Sequence, residues 1–296
     1  MRERMLGYAF CALAMVTVGS TVVASKVIGA GLPPFSAAAL RFAIALPAFA
    51  AAMAATGTPW PRSGRHDAIL LVLQSALGSV GYTVLLVLGL RYTEAASAGV
   101  VAGTLTAVSS VIAVLVLGER PGRRMLVVVA LACAGVLVVT ASDGPGAAGP
   151  GSNHMLGNGL VLGAVVCEGL FLLLNKRLHR ALPPLAMAAA MTTLGLLLAI
   201  PGAVLERPWA VPWTGPAVLA VTYYARVPTV LGFLLWYAGA ARLTGMQASL
   251  TTALLPVTAV LLSAALPGER VTAVQIGGMA CVVGAVLVGA LTRLPR

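Results

Sequence analysis

Long apolar runs, each near the length of a membrane-spanning helix, fill the chain and are parted by short polar breaks. They cover 5–28, 35–55, 68–90, 95–117 and 124–141, then 156–175, 184–205, 215–238, 244–266 and 271–291. The runs are continuous. Barrel strands would alternate apolar and polar residues over about ten positions, so the pattern predicts helices. Most breaks are short, which places sequence neighbours antiparallel in space.

The pattern also repeats itself. Met5-Leu6-Gly7 recurs as Met155-Leu156-Gly157, and Leu32-Pro33-Pro34 as Leu182-Pro183-Pro184. Lys26 recurs as Lys176, and Gly118-Glu119-Arg120 as Gly268-Glu269-Arg270. The offset is 150 residues throughout, with no gap. The chain therefore divides into a first half (1–141), a Gly/Pro-rich linker (142–154) and a second half (155–296). Five spans per half is an odd number, so the second copy must insert upside down relative to the first. The fold expected is an all-α integral membrane protein of ten helices in two inverted five-helix repeats, a plan typical of transporters.

Composition agrees: 59% of residues are hydrophobic and 9% charged, with a mean hydropathy of +0.98. The net charge of +11 suggests nucleic acid until its distribution is read. With the N-terminus in the cytoplasm, thirteen of the nineteen Lys and Arg residues fall on the cytoplasmic side, from Arg2 and Arg4 to Arg293 and Arg296. Arg91, Arg207 and Arg270 fall outside, and Lys26, Arg41 and Arg226 lie within spans or at their edges. The positive-inside rule then puts both termini in the cytoplasm and the linker outside. The start resembles a signal peptide, but its repeat partner at 156–175 argues that it is retained as the first helix.

No soluble catalytic motif appears. No glycine-rich loop with Lys-Ser/Thr suits ATP, so no nucleotide cofactor is expected. The cysteines, Cys11, Cys133, Cys167 and Cys281, all lie in spans, and no metal-ligand spacing appears. The histidines, His66, His154 and His179, are dispersed in loops.

Val18-Gly19-Ser20, Gly31-Leu32-Pro33-Pro34, Leu40-Arg41-Phe42, the two Gly-Glu-Arg segments and Leu255-Pro256-Val257 resemble the drug/metabolite transporter superfamily, EamA type, over essentially the whole chain. The resemblance implies ten helices, two inverted repeats, a central cavity open to one side at a time, a bacterial inner-membrane location and export of amino acids or other small metabolites. Two positions depart from it. Thr106 stands where a proline matching Pro256 is common, and Glu168 where an aromatic residue is common.

Ionisable groups inside a membrane are costly and point to a pathway. Glu168 is the only acid deep in a span and Arg226 the deepest base. Counted from the span starts, both lie roughly 17–18 Å below the outer edge, where they can pair as a structural bridge or bind substrate or a proton. Tyr223 and Tyr224 precede Arg226, and Pro228 follows with its missing hydrogen bond. Tyr82, Ser20, Thr104 and Gln247 are further substrate-binding candidates, and Pro228, Gly232 and Pro256 candidate hinges. Gln74 is expected to hydrogen-bond a neighbouring helix, and Lys26 and Arg41 to snorkel or shape the outer mouth. The leading reading is a secondary exporter of amino acids, with Arg226 on the carboxylate and Glu168 on the amino group or a proton. A cation or drug exporter using Glu168, an intramembrane enzyme and a non-transporting sensor are the alternatives. The partners expected are a small solute and the bilayer, with no nucleic acid and no metal.

Overall fold

The computed structural model describes residues 2–61, 63–117, 122–142, 153–175, 177–179, 182–210 and 212–291. Gly118-Glu119-Arg120, most of the linker, Arg62, Lys176 and Arg180 lie outside the described residues. Fourteen α-helices make up the described fold, with no strand among those residues. The first half holds α1 (Arg2–Gly31), α2 (Pro34–Thr56), α3 (Arg65–Gln74), α4 (Tyr82–Gly89), α5 (Ala95–Gly103), α6 (Leu105–Leu117) and α7 (Arg123–Ser142). The second holds α8 (His154–Asn175), α9 (Pro184–Leu205), α10 (Gly215–Tyr224), α11 (Gly232–Ala240), α12 (Gly245–Thr251), α13 (Leu254–Ser263) and α14 (Ala273–Leu291). By length and hydropathy six helical stretches can cross a membrane, or seven with the α5–α6 pair, and three further apolar helices are shorter.

Many boundaries recur at the repeat offset. Both α2 and α9 open on the second proline of a Leu-Pro-Pro, where a missing N–H costs nothing. A π-helical segment joins α3 to α4 at Ser75–Gly81, and another joins α10 to α11 at Ala225–Leu231. The expected spans 68–90 and 215–238 thus each carry a π-helical turn near their middle. The expected spans 95–117 and 244–266 are broken. In the first, α5 and α6 meet at 42°. Thr104 causes this without a proline: its hydroxyl and its N–H both bond to the Val101 carbonyl, tightening the last turn of α5. In the second, Pro256 has no N–H for the Thr252 carbonyl, and the chain breaks between α12 and α13.

The halves interlock. α2 packs on α9 and α7 on α14, each helix against its own counterpart. α1 packs on α11 and α13, while α8 packs on α4 and α6. Glycine makes these crossings close. A Cβ at Gly239 would lie 2.8 Å from the Gly7 carbonyl oxygen, and one at Gly89 would lie 2.9 Å from that of Gly157. The Met-Leu-Gly repeat therefore marks the same crossing made twice. Lys26, which the sequence leaves to snorkel, instead donates to the Thr93 carbonyl at 2.6 Å and lies 3.8 Å from Glu269. Glu269 also accepts from the Ala95 N–H at 2.8 Å, capping α5 from the other half. Glu206 does the same for α2, accepting from the backbone of Phe35 and Ser36.

Candidate functional site

Pro228 starts the chain of causes that builds the site. Lacking an N–H, it frees the Tyr224 carbonyl inside the π-helical segment. The Thr229 hydroxyl donates to that carbonyl at 2.9 Å. With its proton spent there, Thr229 Oγ1 accepts from Arg41 Nε at 2.9 Å. The same arrangement follows the other π-helical segment. The Thr83 hydroxyl donates to Ser79 O at 2.6 Å and accepts from Arg41 Nη1 at 2.6 Å. The Tyr224 ring lies under the guanidinium, 4.2 Å from Cζ to centroid, and the Phe42 ring at 5.0 Å. Arg41 thus hangs between the halves, with Nη2 unbonded among the described residues.

Glu168 sits on α8. Arg41 is the cation whose field reaches its carboxyl. No ion pair within 4.0 Å joins the two, and Glu168 has no hydrogen-bond partner among the described residues. Glu168 is half-buried. The Tyr82 hydroxyl feels Arg41, Glu168 and Tyr224 together and interacts with Thr21. Arg41 lies roughly 10 Å below the start of α2 and Glu168 roughly 20 Å below the start of α8, at 1.5 Å per residue.

Arg226 is not Glu168's partner. It stands on an exposed stripe with Leu219, Leu231 and Leu234 and makes no ion pair among the described residues. Depth along a helix does not fix azimuth, and the π-helical segment resets azimuth within this span. Tyr223 lies on the same stripe, but its hydroxyl reaches Ser20 Oγ at 2.8 Å. Ser20 donates to Thr17 O within α1, and its contact with Tyr223 links α1 to α10. Thr104 is spent on the α5 break. Gln247 closes a capping box with Thr244, its carbonyl accepting the Thr244 N–H at 3.1 Å. Gly232 packs on Thr17, and Pro256 against Gly103. Gln74 is fully buried, yet neither amide atom has a hydrogen-bond partner among the described residues, so it ties none of the described helices. Its repeat counterpart is Tyr224, the ring under Arg41.

From sequence alone, Arg41 is expected to snorkel to headgroups or to shape the outer mouth. The missed signal was that Arg41 lies two turns inside α2, where a long side chain reaches the middle of the bundle. Its counterpart Met191 and that of Glu168, Val18, are apolar, so the halves differ where the charges sit.

A model of the EamA-like transporter family matches residues 5–141 and again 155–290. An uncharacterized transporter YetK of Bacillus subtilis is 30% identical over 99% of this chain and 89% of its own length. A probable terminal-alkyne amino-acid exporter of Streptantibioticus cattleyicolor is 26% identical over 94% of this chain and 92% of its own. A protein of known crystal structure, 22% identical, superposes with a TM-score of 0.68 over 98% of this chain and 99% of its own.

Proposed function

Because the chain belongs to the EamA-like transporter family, we propose that it is a secondary exporter of amino acids or closely similar zwitterions, working by alternating access in a bacterial inner membrane. Ten spans in two inverted repeats surround the pathway, and both termini lie in the cytoplasm. Arg41 Nη2 takes the substrate carboxylate. Glu168 takes the ammonium group or, in the empty carrier, a proton. Tyr82 and Tyr224 flank the two charges.

One observation carries this reading: the field of Arg41 reaches the Glu168 carboxyl, yet among the described residues the two form no ion pair and each keeps unused bonding capacity. A structural bridge would close. Two opposite charges left open within the helix bundle, at different depths along α2 and α8, suit a ligand bearing both charges, since charges withdrawn from water are stable only when paired and hydrogen-bonded. A purely cationic cargo would have to enter the field of Arg41, which disfavours the cation-exporter alternative. The amino-acid exporter among the relatives points the same way.

Counterflow into vesicles reconstituted with the protein tests it. Zwitterionic amino acids should exchange saturably without ATP, and the matching amines without a carboxylate should not. Saturable exchange of amines alone would install the cation reading. No exchange of any solute in a broad panel would leave a non-transporting membrane protein.

A further inference from the structure

Two histidines that the sequence leaves in separate loops meet at one carboxylate. His66 and Asp67 open α3, and His179 lies in the connection between α8 and α9. His66 Nδ1 is 3.1 Å from Asp67 Oδ1, and His179 Nδ1 is 2.9 Å from the same oxygen. The His179 backbone N–H donates to that oxygen at 3.2 Å. The imidazole rings lie 4.3 Å apart, tilted by 55°. One donor atom from each residue falls within 4.8 Å of the others.

We propose that His66, Asp67 and His179 form a binding site for a divalent transition-metal ion of the zinc class. The donor set is the first argument. Two imidazoles and one carboxylate suit zinc, cobalt or nickel and do not suit magnesium or calcium, which take oxygen ligands. Geometry is the second. Zinc–ligand bonds of about 2.0–2.2 Å in a tetrahedron put neighbouring donors roughly 3.3 Å apart. The two nitrogen–oxygen separations already stand close to that edge, so an ion replaces the shared protons with small side-chain movements. Access is the third. The histidine side chains are 58% and 69% exposed, leaving a coordination position for water, while Asp67 is 14% exposed and held by the His179 N–H. Arg65 and Arg177 flank the cluster in sequence and weaken its hold on a cation.

The site joins the two halves. α3 leads through its π-helical segment to Tyr82 and Thr83, and α8 carries Glu168. A bound ion fastens the start of α3 to the segment beyond α8 and restrains any movement that parts them.

The test needs no transport. Untagged full-length protein in detergent is titrated with Zn²⁺ against a chromogenic chelator, and with Co²⁺ while visible absorption is recorded. One Zn²⁺ per chain is expected, with intense tetrahedral Co²⁺ bands. His66→Asn and His179→Asn should each weaken Zn²⁺ binding by roughly tenfold or more and remove the bands, and His154→Asn should change neither. Zn²⁺ should raise the melting temperature of the unaltered protein and not that of His179→Asn. Absence of saturable micromolar binding overturns the proposal and leaves a hydrogen-bonded latch. Binding that survives both substitutions, or that falls equally with His154→Asn, overturns it as well.

Discussion

Arg41→Gln is the most telling perturbation of the proposed site. Glutamine keeps a planar polar group and can still reach one of the two threonine hydroxyls. It loses the charge, the Nη2 donor and the stacking of a cation on Tyr224. A hydrogen bond to a charged group contributes about 1.5–3 kcal/mol, which translates into about 10- to 150-fold in affinity for a carboxylate. Equilibrium binding of a radiolabelled amino acid to purified protein should weaken by that factor, with the melting temperature measured alongside to show that the variant is folded. Arg226→Gln is the control. An exposed side chain with no bonded partner among the described residues should be worth no more than about 0.5 kcal/mol, about a twofold effect. If Arg41→Gln binds normally while Arg226→Gln does not, the exposed stripe of α10 and α11 is the binding surface and the argument from Glu168 fails.

Glu168→Gln should fold and bind amino acids roughly tenfold or more weakly, and should flatten the pH profile of vesicle exchange; an unaltered profile and affinity would make Glu168 a passive wall. Gly239→Ala places a methyl group 2.8 Å from both Gly7 O and the Cys11 backbone nitrogen, and such overpacking should cost about 1–3 kcal/mol in detergent unfolding. Gly159→Ala, with open space around it, should be neutral or stabilising, and equal effects from the two would show that the α1–α11 crossing is not tight. Burial raises the pKa of Glu269 above the ordinary glutamate value, against the lowering effect of the Ala95 N–H and Lys26. The folded state therefore favours the protonated form, and that stabilisation is full below the ordinary value and lost as pH rises through the raised one. Glu269→Gln should then melt no lower than the unaltered protein at neutral pH, with the difference shrinking as pH falls; a lower melting temperature that recovers in acid would reverse the sign.

Much of the fold was legible because its causes are local or repeated. Apolar run length gave the helices, and Leu-Pro-Pro marked the starts of α2 and α9. The break at Thr104 was not legible, since it rests on a hydroxyl bonding three residues back in a stretch that otherwise reads as one span. Pro228 was readable as a defect, but its consequence was not. The freed carbonyl goes to Thr229, and Thr229 then receives Arg41 from a different helix. These helices are apolar nearly all round, so periodicity does not say which face meets protein. Sequence alone therefore does not separate Arg226, on an exposed stripe, from Arg41, inside the bundle. His66 and His179 lie 113 positions apart in the chain, beyond any motif spacing, and only the packing of α3 near α8 brings them together.

The π-helical segments carry a lesson about ancestry. Each adds a residue to a helical turn, and they occupy matching places, Ser75–Gly81 and Ala225–Leu231. The bulge is therefore older than the doubling of the gene, or was favoured independently in both copies. The groups around it went separate ways: Tyr82 answers to Gly232, Tyr224 to Gln74, Arg41 to Met191 and Glu168 to Val18. Two equal copies would offer a cargo the same surroundings at either end, with no means to tell head from tail. Divergence at these positions, on a backbone held in common, makes the two ends of the proposed passage chemically unlike, as an asymmetric cargo held in a single orientation would require.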